Sequence, residues 1–202
     1  MIIPLWYSVI LLIAFISFNT SLFIYTRIYP NYSIKRNTIS DLGGPEANTR
    51  KYFNPTVFIM GIILMPFPYF VYQALPPNIL SLIGTIIFYC VPVGMLMVGI
   101  FPKDKETPHV IAALLCFGGL LITSIILFQP ILFSNINIIV IIITIIALII
   151  AVPLLISFSQ RDKYEDGEEI EKLLHNLNLW EWVAFILLQI WMFSLYINLL
   201  FL

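Results

Sequence analysis

The stretch INIIVIIITIIALIIAVPLLISF, residues 136–158, contains no charged side chain and is long enough to cross a lipid bilayer. About 20 apolar residues, each rising about 1.5 Å along a helix, span the roughly 30 Å of hydrocarbon. The run from Ile138 to Ile150 lacks the alternating polarity of a membrane β-strand. Because backbone amides in lipid must be hydrogen-bonded within their own segment, we predict a transmembrane helix here.

Five further blocks share this character, and together they predict an all-α integral membrane bundle of six transmembrane helices. The chain of 202 residues is 60% hydrophobic and 10% charged, whereas soluble domains are typically about 25% charged. The first block lacks the basic start of a signal peptide, so we predict it to be a membrane helix. We expect a single six-span domain over residues 1–202, with spans at about 5–28, 55–75, 79–101, 109–129, 136–158 and 179–201.

The charged residues occupy alternate gaps between the blocks. Nearly all lie in the first gap (Pro30–Asn54), the third (Pro102–Pro108) and the fifth (Ser159–Asn178), and the rest border these gaps. If every block spans the membrane, all 10 basic and 11 acidic residues therefore fall on one side. The positive-inside rule predicts that this side is cytoplasmic in a cell-membrane protein, with both termini outside.

Helix-start signals support the boundaries of the blocks. At the charged side they are Asn54-Pro55, Thr107-Pro108 and a capping box from Asn178 to Glu181, and at the other side Asn78. In the fifth gap, apolar residues recur at the spacing of one helical face, from Ile170 to Leu177. This pattern predicts a short amphipathic interfacial helix at about residues 166–177.

Prolines and glycines lie near mid-depth of the second, third and fourth spans. Proline bends a membrane helix, and glycine permits a kink or a close helix approach. Two interpretations are open: a packing irregularity, or a cavity among spans two to four that admits a lipid or a small apolar molecule. The residues are Pro66, Pro68, Pro92, Gly94, Gly118 and Gly119.

Polar residues inside the spans are few. Asn19 in the first span and Gln189 in the sixth lie at similar depth, so we predict that they bond to each other or line one cavity. No Asp, Glu, Lys, Arg or His lies deep in any block. This composition argues against a proton relay, an ion-coupled pump or a voltage sensor.

Polar residues of the first and third gaps form the candidate site. Arg36 would hold Asp41 or Asp104 at the depth of the headgroups, with His109 beside Asp104. Three roles are open: binding a phosphate or sugar headgroup, acid–base chemistry, or locking the first gap onto the third. The candidate residues are Arg36, Asn37, Ser40, Asp41, Asn54, Asp104 and His109.

Three segments carry a resemblance to a known family: RNTISDLGG (residues 36–44), NPTVFIMG (54–61) and GIFPKDKETPHVIAALLCF (99–117). They resemble the domain of unknown function 998 family of multi-span prokaryotic membrane proteins, over about residues 33–117. The resemblance implies a fold and a site at the charged face, but no reaction. The family is in turn distantly similar to the Frag/DRAM/Sfk group, whose association with lipid remodelling and membrane trafficking implies lipid handling by analogy.

The leading hypothesis is an uncharacterised multi-pass membrane protein that binds or handles lipid through this polar cluster. One alternative is a structural subunit of a larger membrane complex with partner subunits. The other is a membrane-embedded hydrolase or transferase that uses Asp41, Asp104 and His109. A net charge of −1 predicts no nucleic-acid partner. We predict no metal site and no cofactor, because only two histidines exist and no ligand spacing is evident.

Overall fold

The computed structural model describes residues 2–159 and 173–202, and six of its helices are long and apolar enough to cross a membrane. The described residues form helices and turns without any strand, so the predicted all-α six-span class is confirmed. We number the spans from the first to the sixth in chain order. They are Leu5–Ile28, Arg50–Gln73, Ile79–Ile100, Glu106–Leu132, Ile138–Ser159 and Leu177–Phe201.

Three spans are interrupted near mid-depth. The second divides into Arg50–Leu64 and Phe67–Gln73, and its break lies at Pro66. The third divides into Ile79–Phe88 and Cys90–Ile100, just before Pro92. Proline causes such breaks because it has no N–H and its ring clashes with the carbonyl four residues earlier. The fourth span consists of Glu106–Ala113, a π-helical turn at Leu114–Gly118, and Gly119–Leu132.

The helix starts differ from most of the predicted ones. Asn78 caps the third span as expected, since its Oδ1 accepts a hydrogen bond of 2.9 Å from Ser81 N. The second and fourth spans begin before their predicted prolines, at Arg50 and at Glu106. Pro108 then falls in the first turn, where a backbone N–H has no helical partner in any case.

The sixth span is capped by Asn176 rather than by Asn178. Asn176 Oδ1 accepts a hydrogen bond of 2.9 Å from Leu179 N, and the helix begins at Leu177. Most of the predicted interfacial helix at 166–177 lies outside the described residues. Its described end is a single 3-10 turn, Leu173–His175, so nothing here tests the rest of that prediction.

Contacts among the loops, the N-terminal residues and the end of the sixth span define two ends of the bundle. At one end, Ile2 N donates to Leu199 O at 3.3 Å, and Asn137 N donates to Asn198 Oδ1 at 2.8 Å. At the other end, Lys103 of the third gap pairs with Asp41 of the first. We call these the uncharged end and the charged end.

Asn19 and Gln189 do not bond to each other, so the first alternative predicted for them is wrong. Asn19 Nδ2 donates to Phe15 O of its own helix at 2.8 Å, and Gln189 Oε1 is buried with no hydrogen-bond partner in the described part of the chain. The first and sixth spans instead meet through stacked rings, with Phe15 and Phe193 centroids 4.9 Å apart. The second alternative, that the two residues line one cavity, stays a prediction.

Glycines bring the second, third and fourth spans into close contact. A Cβ on Gly61 would lie 2.9 Å from Leu96 N and from Pro92 O of the third span. A Cβ on Gly94 would lie 2.8 Å from Ala112 O and Cys116 N of the fourth span. Small residues let helix backbones approach in this way in membranes. These three spans therefore form the tightly packed part of the bundle.

Candidate functional site

A cavity of about 760 Å³ lies between the fourth, fifth and sixth spans at the charged end. Its mouth is polar and includes residues of the first and third gaps as well as the start of the sixth span. The polar lining residues are Thr38, Ser40, Lys103, Glu106, Thr107, His109, His175, Asn178 and Glu181. The mouth thus lies where the charged loops meet the membrane helices.

Below the mouth the walls are apolar. The π-helical turn of the fourth span supplies Leu114, Phe117 and Gly118, and the fifth span supplies small side chains at Ala147 and Ala151. A Cβ on Gly118 would meet no atom within 4 Å, so this glycine borders open space. π-helical turns of this kind are frequent at functional sites because they widen a helix locally.

The cavity extends to the space between the fourth and fifth spans. Leu114 of the fourth span and Leu155 of the fifth both line it, and these two residues are 55% and 59% exposed. The fourth span packs on the fifth through its second half, Gly119–Leu132. Its first half packs on the third span, so the fourth and fifth spans diverge toward the charged end.

The cavity ends about half-way along the spans. Its deepest lining residues are Leu121, Ala147 and Leu188. One turn farther along, beyond the lining residues, Trp191 Nε1 donates to Thr144 Oγ1 at 2.8 Å, and both side chains are fully buried. From Leu177 to Leu188 the sixth helix rises about 16 Å, which is about half of the roughly 30 Å that a membrane span must cover.

The first gap forms a roof over the mouth, and a local capping box shapes it. Asp41 Oδ2 accepts from Thr38 N at 2.8 Å, and Thr38 Oγ1 accepts from Asp41 N at 3.2 Å. This reciprocal pair starts the 3-10 helix Ser40–Gly43. Asp41 Oδ1 also accepts from Lys103 Nζ at 2.7 Å, so the turn is fastened to the third gap.

The roof is also fastened to the sixth span. Glu181 Oε1 accepts from Ile39 N at 3.1 Å, and Trp182 Nε1 donates to the Tyr32 hydroxyl at 2.9 Å. Tyr32 in turn donates to Thr38 O at 2.7 Å. Burial raises the pKa of the Tyr32 phenol well above its ordinary value, so this hydroxyl stays a neutral donor. The first gap is therefore held from two sides.

The structure brings some of the predicted cluster to the mouth. Ser40 and His109 line the cavity. Asp41 is not a lining residue, but it pairs with Lys103, which is one. The His109 ring is held by its Nδ1, which is 2.8 Å from Phe101 O. Asn37 is a turn residue whose Oδ1 accepts from Ser33 N at 3.1 Å.

Other members of the predicted cluster lie elsewhere. Asp104 pairs with Arg50 at 3.0 Å. Arg36 is exposed, and the structure assigns Asp41 and Asp104 to Lys103 and Arg50 in its place. Asn54 Nδ2 donates to Gly43 O at 3.4 Å, and Asn54 lines a separate shallow hollow between the second and third spans. The predicted pairing by Arg36 is thus wrong.

The cavity is also not where the prolines and glycines suggested. Of those residues only Gly118 lines it, and it lies among spans four to six rather than two to four. Gly94 and Gly119 instead face neighbouring backbone or side chains, since a Cβ on Gly119 would lie 2.9 Å from Cys90 Cβ. Most of the small residues serve close packing, which leaves no room for a cavity beside them.

Sequence reasoning missed two central residues of the mouth, Lys103 and Glu181. Glu181 was assigned to a capping box, although its carboxylate bonds the first gap instead. The pattern Thr38-Ile-Ser-Asp41 is a recognisable capping box and would have located the turn that Lys103 meets. The link to Glu181 joins residues far apart in the chain, and no local pattern reports it.

The three residues of the hydrolase hypothesis bond to different partners. Asp41 bonds Lys103 and Thr38, Asp104 bonds Arg50, and His109 contacts Phe101 O. Within residues 2–159 and 173–202, no hydrogen bond joins any two of the three. General acid–base catalysis requires such groups to be within hydrogen-bond reach of one reacting atom. This geometry gives the catalytic hypothesis no support.

Comparisons with known proteins give the chain a family but no characterised relative. Neither the curated proteins nor the solved structures contain a match to it. The similarity to the Frag/DRAM/Sfk group stays a prediction. The model of one family, described as a protein of unknown function (DUF998), matches residues 8–198, nearly the whole chain. The chain therefore belongs to the DUF998 family, and its six apolar helices fit a multi-span membrane protein.

Proposed function

We propose that this protein binds a membrane lipid in the cavity between the fourth, fifth and sixth spans. The headgroup lies at the polar mouth, and an apolar chain lies along the walls below it. The observation that carries the proposal is the division of one cavity into a polar end and an apolar end, and the apolar end lies about half-way along the spans.

The mouth has the chemistry that a lipid headgroup needs. Lys103 and the histidines His109 and His175 lie beside the carboxylates of Glu106 and Glu181. Groups of both signs suit a zwitterionic or hydrogen-bonding headgroup, and a lysine ammonium attracts phosphate as a point charge. The network that fastens the roof holds Lys103 and Glu181 in place.

The walls and the space between the fourth and fifth spans fit an apolar chain delivered from the bilayer. A lipid in the leaflet at the charged end would reach the cavity between Leu114 and Leu155 without crossing water. The buried Trp191–Thr144 pair beyond the inner end of the cavity opposes a path through the membrane. The geometry therefore favours a lipid-binding protein over a channel.

The direct test is to fill the cavity at Gly118. Because a Cβ there meets nothing within 4 Å and Gly118 lines the cavity, we expect the ring of Gly118→Phe to extend into the cavity. The matched control is Ile122→Phe, which changes an exposed residue on the same helix. We expect Gly118→Phe to retain several-fold less lipid than the wild type or the control, measured by native mass spectrometry after purification in mild detergent.

Folding is checked by thermal melting of the same samples. If Gly118→Phe melts like the wild type and carries as much lipid, the cavity is not the binding site. If the wild-type protein retains no bound lipid after it has been released from native membranes or nanodiscs, the proposal is wrong altogether.

We also propose that the charged end faces the cytoplasm and that both termini face outside. The asymmetry of Lys and Arg between the gaps supports this orientation. Single cysteines at Asn135 and at Glu46, two exposed positions in the fourth and first gaps, would report it after Cys90 and Cys116 are replaced. A membrane-impermeant maleimide applied to whole cells should label Asn135→Cys and not Glu46→Cys, and the reverse pattern would invert the proposed topology.

A further inference from the structure

The pair Trp191–Thr144 forms the floor, which is the layer just beyond the inner end of the cavity. Trp191 is fully buried, and its indole N–H is bound to Thr144. Its ring also lies against Phe88 of the third span, with centroids 5.9 Å apart. The hydrogen bond and the ring packing both hold the indole in this place.

The floor lies one helical turn beyond the deepest lining residues on two separate spans. Ala147 and Thr144 are one turn apart on the fifth span, and Leu188 and Trp191 are one turn apart on the sixth. Residues three apart lie on the same helix face. Trp191 and Thr144 do not line the cavity themselves, but they lie on the same faces as its deepest lining residues, directly beyond its inner end.

We propose that Trp191, positioned by Thr144, sets the length of the apolar chain that the cavity accepts. This inference rests on the proposed lipid binding and adds its specificity. Each methylene buried in the cavity adds about fourfold to the affinity. Once the chain reaches the floor, further methylenes remain outside and add nothing.

The small side chain of Ala147 makes the depth adjustable in the opposite direction. Ala147→Leu fills the last turn above the floor and shortens the cavity. Trp191→Leu removes most of the floor and lengthens it. Two variants with opposite expected effects separate a change in depth from a general loss of stability.

The experiment measures affinity for a homologous series of single-chain phospholipids of increasing chain length. The probes compete for the detergent-purified, full-length protein, and native mass spectrometry reads the bound fraction. For the wild type we expect the affinity to rise about fourfold per methylene and then to level off. The plateau should begin at a shorter chain in Ala147→Leu and at a longer chain in Trp191→Leu.

Two controls complete the design. Trp6→Leu removes a tryptophan that is 66% exposed on the outer surface, and it should leave the plateau unchanged. Thr144→Val keeps the volume but removes the hydrogen bond to Trp191. In this variant the affinity should level off over a wider range of chain lengths, and binding should persist. If Trp191→Leu fails to fold, the effect of Thr144→Val on the plateau tests the role of Trp191 in its place.

The outcomes separate this inference from the proposed function. One outcome is that the series binds with a plateau at the same chain length in the wild type, Ala147→Leu and Trp191→Leu. This result overturns the proposed role of Trp191 in setting chain length and leaves lipid binding intact. Absence of binding to the wild type overturns both. A shift of the plateau in the two expected directions supports both.

Discussion

The fourth span has two faces that differ sharply, and neighbouring residues show the contrast. A Cβ on Gly119 would lie 2.9 Å from Cys90 Cβ of the third span, whereas a Cβ on Gly118 would meet nothing within 4 Å. One face is packed against its neighbour, and the other borders the cavity. Two glycines adjacent in the chain therefore have opposite roles.

The difference shows that a small residue in a membrane helix has two distinct physical uses. Toward the third span, the absence of a side chain lets backbones approach, as at Gly94. Toward the fifth span, the π-helical turn and Gly118 leave a space that no neighbouring side chain fills. The composition is the same on both faces, and only the position of the neighbouring helix distinguishes them.

The largest effect is expected from Gly94→Val, which tests the packed face. The new side chain would meet the backbone atoms Ala112 O and Cys116 N at 2.8 Å, so the fourth span must move away. Overpacking of this kind costs about 1–3 kcal/mol. Thermal melting in detergent should show a clear fall in the melting temperature relative to Gly118→Val. Equal melting of the two variants would contradict the contrast between the faces.

A smaller and sharper test exchanges the two adjacent glycines for alanine one at a time. Gly118→Ala should leave the free energy of unfolding unchanged or raise it by up to about 1 kcal/mol, because alanine favours a helix. Gly119→Ala should lower it, because the added methyl presses on Cys90. Chemical unfolding in mixed micelles measures both. The opposite order of stability would show that the assignment of the faces is wrong.

Trp182→Phe tests the roof over the cavity mouth against the packed core. It removes the N–H that donates to the Tyr32 hydroxyl while keeping a ring in place. A loss of about 1 kcal/mol is expected for one hydrogen bond. A double-mutant cycle with Tyr32→Phe isolates the bond, and additive effects of the two changes would mean that it contributes nothing.

The smallest effect is expected from the ion pair between Asp104 and Arg50 at the charged end. Asp104→Asn breaks this pair, in which the Asp104 side chain is 32% exposed and the Arg50 side chain 35% exposed. Exposed ion pairs contribute about 0–1 kcal/mol, so the melting temperature should change little, and any change should shrink in high salt. A large fall in the melting temperature that does not depend on salt would indicate that this ion pair stabilises the fold more than its exposure implies.

Much of the fold could be predicted from local sequence. Each span contains an apolar block that is visible in the sequence, and Asn78 marks a helix start that the structure retains. Helix starts beside proline were less predictable. At Thr107-Pro108 the fourth span begins before the motif, because proline is compatible with several positions in a first turn.

The candidate site was only partly predictable. Ser40 and His109 were recognised as polar residues at the charged face, and they do line the mouth. Glu181 was missed because its partner, Ile39, lies far away in the chain. The cavity was predicted among the wrong spans. Prolines and glycines indicate where a helix bends or lacks a side chain, but they do not indicate on which side a neighbouring helix packs.

By itself, the sequence determined that six segments are long and apolar enough to cross a membrane and that the charged residues gather in alternate gaps, because hydrocarbon excludes charge and demands internally bonded backbone. Only the tertiary structure decided where the fourth and fifth spans diverge, which side chains meet at the mouth, and that Trp191 and Thr144 pair beyond the inner end of the cavity. Burial in lipid depends on the composition of each segment alone. Packing depends on the relative placement of helices whose contacting residues are distant in the chain.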